Sequence, residues 1–416
     1  MIHLFSKALS ARRWVRIAVV TILLPLVATG CSTPTRLPAV PSASTVQAQL
    51  DHDLGQSHIR FMVARESESF AEEARSSMQK EAAWLASSGH VGPLPAANFL
   101  AISGGGDNGA FGSGLLNGWT ATGTRPEFKA VTGVSTGALT APFAFLGPKY
   151  DNALKAVYTS VSKKDIFKSR GIRGFFSDGI ADTTPLAKLI ARYVDRPMLD
   201  AIAAEYAKGR LLLVGTADLD ALEPVIWNMT AIAASKDPRA LEIFRSILRA
   251  SAAIPGAFPP VMFDVEVKGI RHQEMHGDGG TIAQVFLYPP SLDITRLSAV
   301  AGVQRKRNLY IIRNAKLNPD WADVKRKTLS ISARAIGSLT RTQGIGDLYI
   351  IYALAQRDGL DFNLVFIPPT FNVAHPEQFD TNYMQQLYAT GYQMAVDGYD
   401  WQKFPPGYIS PAFSRK

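Results

Sequence analysis

Two glycine-framed turns, each entered from an apolar strand-like run, constrain this chain more than any other feature. The first is Ser103-Gly104-Gly105-Gly106-Asp107-Asn108-Gly109, after Phe99-Leu100-Ala101-Ile102. The second is Gly133-Val134-Ser135-Thr136-Gly137, after Phe128-Lys129-Ala130-Val131-Thr132. A strand that ends in a tight turn and hands over to a helix is the repeating unit of an open, mostly parallel sheet. Sites in such sheets collect at the carboxyl ends of the strands, and both turns lie at that end.

The pattern continues downstream. Further strands are expected at 211–216, 225–228, 309–313 and 364–367. Helices are expected at 112–120, 135–146, 184–193, 238–252, 328–356 and 382–397. Apolar strands alternating with helices predict an α/β fold with a mostly parallel central sheet covered on both faces. No internal repeat is visible. The catalytic domain is expected over 93–400, preceded by a charged helical segment over 49–92 with Phe61, Val63, Phe70 and Trp84 inward, and followed by a tail over 401–416.

The N-terminus reads differently. Lys7, Arg12, Arg13 and Arg16 precede an apolar stretch over 17–28 that is too short for a bilayer span. It leads through Val27-Ala28-Thr29-Gly30 to Cys31, the only cysteine. This resembles a bacterial lipoprotein signal over 1–30, with cleavage before Cys31 and acylation of that residue. Ser32 after the cysteine points to an outer-membrane lipoprotein of the cell envelope facing the periplasm. Residues 31–48, rich in Ser, Thr, Pro and Ala, read as the acylated cysteine and a flexible tether. Without residues 1–30, which hold four basic and no acidic side chains, the formal charge falls from +9 to +5. That balance gives no footprint for nucleic acid and allows loose attraction to anionic lipid. With a single cysteine, an intrachain disulfide and a cysteine metal cluster are both excluded. No metal or other cofactor is expected, and no ligand cluster suggests calcium.

The turns carry the chemistry. Glycines at 133 and 137 permit a sharp strand-to-helix corner that exposes Ser135, and the following helix N-terminus favours developing negative charge. Ser135 is the candidate nucleophile. The triple glycine can approach a substrate closely and turn its N–H groups towards an oxyanion. Gly104-x-Gly106-x-x-Gly109 also satisfies a dinucleotide fingerprint, but that motif wants an acidic residue at the end of the next strand. The next strand ends at Ser135 instead. A third glycine-framed element, Gly277-Asp278-Gly279-Gly280, offers Asp278 as a carboxylate at a tight turn.

In this order the three elements resemble the patatin-like phospholipase family. Its members pair Asp-Gly-Gly-Gly-x-Arg-Gly with G-x-S-x-G and then Asp-Gly-Gly or Asp-Gly-Ala. The resemblance spans 97–283, and Gly179–Leu186 and Ala250–Pro260 also look familial. It implies a three-layer α/β/α fold and hydrolysis of lipid or phospholipid esters by a Ser-Asp dyad. Ser135 would be the nucleophile and Asp278 the base; Gly104, Gly105, Gly106 and Gly109 would form the oxyanion loop. Ser103 and Asn108 replace the motif's Asp and Arg, which leaves the backbone donors in place.

Two other readings remain open at this level. His375, the only histidine after Asp278, could complete a Ser-His-Asp triad, or the chain could be an inactive scaffold. His276 neighbours Asp278 in sequence. Lys163, Lys164, Lys168, Arg170 and Arg173 interleave with Ile166, Phe167, Ile172, Phe175 and Phe176, as in a lipid-facing loop or a solvated one. Asn382, Tyr383, Tyr388, Tyr392 and Tyr399 read as helix packing.

Overall fold

Over 99–102 and 211–217 the chain carries apolar or small side chains on both faces, as strands between two helical layers require. The computed structural model describes residues 34–50, 54, 58–171, 174, 177–319 and 321–409. Strands β1 (Gln49–Leu50) and β2 (Arg60–Met62) precede β3 (Ala97–Ile102) and β4 (Ala130–Val134), which lead into the two glycine turns. A small separate pair, β5 (Lys168–Ser169) and β6 (Ala181–Asp182), follows. The main sheet is completed by β7 (Leu211–Asp218), β8 (Glu223–Asn228), β9 (Val261–Val267), β10 (Ile270–Asp278), β11 (Arg307–Arg313) and β12 (Leu360–Phe366).

The centre of that sheet is parallel, in the order β7-β4-β3-β11-β12. Alternation along β3 sends Leu100 and Ile102 to one face and Phe99 and Ala101 to the other. On the Leu100 face pack α2 (Gly109–Ala121), α3 (Thr136–Leu146), α4 (Asp151–Thr159), α5 (Thr184–Tyr193), α6 (Arg196–Ala207), α7 (Ala240–Ser251) and α9 (Thr381–Val396). The opposite face is covered by α1 (Ser67–Ser87) and α8 (Thr328–Asp358), through Phe70, Leu348, Ile351 and Ala355. The fold is a three-layer α/β/α sandwich with a mostly parallel centre.

Strand β7 sets up the site. β4 runs parallel to it and ends with Val134 opposite Gly215. β8 pairs with Leu213–Asp218, so it must occupy the other edge. β10 arrives antiparallel on the edge that β4 uses and pairs Asp278 with Thr216. Two strands therefore meet head to head along one edge of β7. Neither can continue, and the residues at which both must turn are Ser135 and Asp278.

Three boundaries differ from the expectations. The 49–92 segment holds one long helix, but only over Ser67–Ser87; Gln49–Leu50 and Arg60–Met62 pair with β9 and β8 instead. Phe61 and Phe70 are buried there, whereas Trp84 is exposed. The described part of the expected tether is pinned along the β9–β10 hairpin. Arg36 forms an ion pair with Asp220 at 2.6 Å, and the Gln273 N–H donates to the Pro38 carbonyl at 3.1 Å. A hairpin edge has unpaired backbone groups, and a Ser/Pro-rich strand can satisfy them. Likewise the described part of the expected tail belongs to the domain, with Gln402 bridged to Leu364 and the Trp401 ring packed at a tilt against Trp119, 5.0 Å away.

Candidate active site

Ser135 links β4 to α3 with φ 55° and ψ −126°, a backbone state that costs a non-glycine residue about 1–3 kcal/mol. Its surroundings impose that state. A side chain at Gly133 would collide with the Gly137 carbonyl, and one at Gly137 with the Ile102 carbonyl, so the corner closes only on glycines. The Ser135 N–H donates to Ser251 Oγ at 3.0 Å, and the Ser251 hydroxyl donates to the Gly215 carbonyl at 2.7 Å. Ser251, the last residue of α7, ties the corner to β7.

The Ser135 hydroxyl donates to Asp278 Oδ2 at 2.6 Å, and Asp278 Oδ1 accepts from the Gly280 N–H at 2.7 Å. Both residues are buried. Burial pushes the Asp278 carboxyl up to about 6, although its bonds to Ser135 and Gly280 pull the other way. A carboxyl tuned there is a stronger base than a free aspartate yet still ionised at neutral pH.

The glycine loop lies alongside. A Cβ on Gly104 would stand 3.2 Å from that of Ser135. The Gly104 N–H is committed to the Gln284 carbonyl at 2.9 Å, and the Gly109 N–H points into its own turn. The N–H groups of Gly105 (φ 155°) and Gly106 (φ 59°) carry no hydrogen bond to the described residues. Ser103 accepts from the Asn314 N–H at 2.8 Å and donates to the Gly104 carbonyl at 2.7 Å. Asn314 also donates from Nδ2 to the Ser103 carbonyl and accepts from the Gly112 N–H. Ser103 and Asn314 thus clasp the loop to the end of β11.

His375 belongs to the loop's support. Its Nε2 lies 2.7 Å from Asp107 Oδ2, which also accepts from the Phe379 N–H, and its ring stacks 4.0 Å from that of Tyr383. The Tyr383 hydroxyl donates to Asn108 Oδ1 at 2.7 Å. No hydrogen bond joins His375 to Ser135 or Asp278. His276 is fully buried beside Thr216, 2.9 Å from its hydroxyl, and approaches Glu274 at 3.3 Å. Asp218, Glu274 and His276 bring ligand atoms within 4.8 Å of one another, a cluster brought together only by the pairing of β7 with β10. Arg60 already forms an ion pair with Glu274, and Asp218 Oδ1 accepts from the Asp220 and Ala221 amides. Oxygens of both carboxylates are thus already engaged by partners within the protein.

Ser135 and Gly106 open onto an apolar cavity of about 790 Å³, its mouth included. Leu139 and Phe143 of α3, Leu186 and Ile190 of α5, and Leu248 of α7 line it. Ile166 closes one side, and Phe167 packs on Phe258 and Phe379. Those two aromatic-loop members face inward, while Lys163 pairs with Glu377 on the surface. Ile172, Arg173, Phe175 and Phe176 lie outside the described residues, as does Cys31. No helix among the described residues is long and apolar enough to cross a membrane.

A model of the patatin-like phospholipase family matches residues 100–289. The chain carries a patatin-like phospholipase domain. That match points to a lipid ester hydrolase. No curated protein matches the chain. Among solved structures, VipD from Legionella pneumophila is similar at 14% identity and a TM-score of 0.37, over 73% of this chain and 67% of VipD. ExoU from Pseudomonas aeruginosa, in its complex with SpcU, is similar at 14% identity and a TM-score of 0.28, over 73% of this chain and 52% of ExoU. The chain thus spans about half of ExoU, and superpositions this loose carry nothing about the site. Within the patatin-like domain, Ser251 and Gln284 support the site without having announced themselves in the sequence. Asn314 lies beyond the matched residues. Its one signal was position: a polar residue just past the carboxyl end of an apolar strand.

Proposed function

We propose that this chain is a membrane-tethered lipid acyl hydrolase in which Ser135 is the nucleophile and Asp278 its base. The observation that carries the reading is the 2.6 Å hydrogen bond from Ser135 Oγ to Asp278 Oδ2 at the mouth of an apolar cavity. The acyl chain of an ester lies in that cavity. As Oγ bonds to the carbonyl carbon, its proton passes to Asp278, and the carbonyl oxygen takes the negative charge. The free N–H groups of Gly105 and Gly106 receive that oxyanion; removing one such donor typically costs about 10²–10³-fold in kcat. Collapse breaks the bond to the leaving alkoxide, which takes the proton from Asp278. Water then attacks the acyl-serine, again losing its proton to Asp278, and frees the fatty acid and the serine.

Two observations weigh against the triad reading. Asp278 reaches the serine directly, and His375 is held at Asp107. The scaffold reading is tested by a fluorophosphonate probe, which needs an activated serine. Labelling of the wild type but not of Ser135→Ala is expected, and an unlabelled wild type overturns the proposal. The tether is Cys31, acylated in the outer membrane and facing the periplasm. Cys31→Ala is expected to move the protein from the membrane pellet to the supernatant, and unchanged membrane association would exclude that anchor.

A further inference from the structure

The glycine loop also borders a second cavity, one that Ser135 does not line. It spans about 1530 Å³ with its wide mouth, and its walls include Gly104, Gly105 and Asn108. Four cations line it, Arg313, Lys316, Arg334 and Arg341, and no Asp or Glu among the described residues does so. All four follow residue 289, beyond the stretch that matches the family.

Arg313 is the telling residue. It ends β11 with only 4% of its surface exposed, and its Nη1 has no hydrogen-bond partner among the described residues. A buried guanidinium without an acceptor is costly, because desolvation is not repaid by a bond. Asp347 attracts it, but one oxygen of that carboxylate is already taken by the N–H groups of Gln284 and Val285. Burial brings the guanidinium down to about 10, which leaves it cationic at neutral pH. Arg341 repeats the pattern. Its Nη2 donates to the Leu317 carbonyl at 2.6 Å, while its buried Nε has no partner. Asn108 lines the same space, at the position where the family's loop carries Arg.

We propose that this cavity binds a phosphate group through Arg313 and Arg341, either the phosphodiester of a lipid headgroup or free inorganic phosphate. Guanidinium forks match the oxygens of such an anion, and each charge-assisted bond completes a donor that now has none. The same helix, α8, also exposes Ile331, Ile336 and Leu339 to solvent. Only the headgroup source rests on the hydrolase reading.

The test uses the intact chain. Inorganic phosphate is titrated calorimetrically into Ser135→Ala and into the same chain with Arg313→Met added. Saturable binding that weakens tenfold or more with Arg313→Met is expected, with Arg313→Lys retaining part of it. In parallel, kcat/KM is compared on phosphatidylglycerol and on diacylglycerol, which lacks the phosphate. A tenfold fall in that ratio for Arg313→Met identifies the headgroup as the source. Weakened phosphate binding with an unchanged ratio identifies free phosphate. Phosphate that binds equally to both chains, or to neither, together with an unchanged ratio, overturns the site. Circular dichroism checks folding, and Arg341→Gln carries the same readings if Arg313→Met does not fold. A chain that hydrolyses no ester yet binds phosphate through Arg313 would sink the hydrolase reading and leave this one standing.

Discussion

The two cavities that meet at the glycine loop are built from opposite materials. One is lined by aliphatic and aromatic side chains of α3, α5 and α7, with Ser135 and Gly106 as its polar edge. The other is lined by Arg313, Lys316, Arg334 and Arg341 around Gly104, Gly105 and Asn108. The first gains from a ligand by removing apolar area from water, at about 25 cal/mol per Å². The second gains by pairing the one charge there that is already desolvated, the buried Arg313 guanidinium. A phospholipid has both parts, an acyl chain and a phosphate, so under the two proposals above the contrast would divide one substrate class between two walls of a single turn.

Ser135→Ala would test that division most severely. We expect kcat/KM on a short-chain ester to fall by more than about 10³-fold, with Asp278→Ala close behind, because groups that act as a unit fail together. Assay of purified variants against p-nitrophenyl butyrate measures both. Activity surviving in Ser135→Ala would strip the apolar cavity of its chemistry. For the wild type, the base must be ionised in the free enzyme. Since burial holds Asp278 near 6, kcat/KM should fall about tenfold per pH unit below that value and level off above it.

Asp278 should also show what the site costs the fold. Its folded value of about 6 lies above the ordinary 3.8, so folding favours the protonated form. The wild type is then most stable, with respect to this group, below about pH 4 and loses stability as pH rises through 6. The full loss is roughly 3 kcal/mol at about 1.4 kcal/mol per pKa unit. Asp278→Asn removes the charge and keeps an acceptor for the Gly280 N–H. Urea unfolding at pH 8 should find it more stable by up to that amount, with the advantage vanishing near pH 4. A variant that is less stable at pH 8 would mean that the carboxylate is better solvated than its burial implies.

The apolar half of the comparison was legible in the sequence and the cationic half was not. Gly133 and Gly137 had to be glycine for steric reasons that act within a few residues, so the Ser135 corner could be read from its own spacing. The strands β3, β4, β7 and β11 were legible because burial on both faces leaves uninterrupted apolar runs. The meeting of Ser135 with Asp278 was visible only through family resemblance, since it depends on β4 and β10 colliding along one edge of β7. The β9–β10 hairpin carries its own local signals: Val261, Phe263, Val265 and Val267 alternate inward, and Lys268-Gly269 turns with both φ positive. Arg313, Asn314 and Arg341 become neighbours of the loop only when β11 is inserted beside β3 and α8 closes the far face. Nothing local in 290–409 marks that arrangement, and a serine- and proline-rich stretch such as 34–48 reads as mobile until the hairpin edge it covers is known.

Between the two walls, the loop itself can be probed glycine by glycine. A side chain at Gly105 would run into the Asn314 carbonyl with φ at 155°, whereas one at Gly106 meets nothing within 4 Å. Gly105→Ala should therefore displace the loop and lower kcat by about 10²-fold, the scale of one lost oxyanion donor. Gly106→Ala meets only the penalty of a left-handed backbone, about 1–2 kcal/mol, and should lose about tenfold in the same assay. Equal losses would indicate that Asn314 yields and that the cationic wall does not brace the loop.

His375→Ala should have the smallest effect. Its Nε2 bonds Asp107 Oδ2, but the same oxygen keeps the Phe379 N–H, and the imidazole is about one-third exposed. Water can replace the lost partner, so the cost is that of one modest hydrogen bond, about 1 kcal/mol, passed to the loop through Asp107. We expect kcat/KM to fall by less than about tenfold, with the wild-type pH profile retained if the base is Asp278 as proposed. A loss as deep as that of Ser135→Ala, or a profile whose midpoint moves when the histidine is removed, would restore a triad. The cationic wall would then have to be redrawn as part of the proton path, and the separation between a side for chemistry and a side for charge would fail.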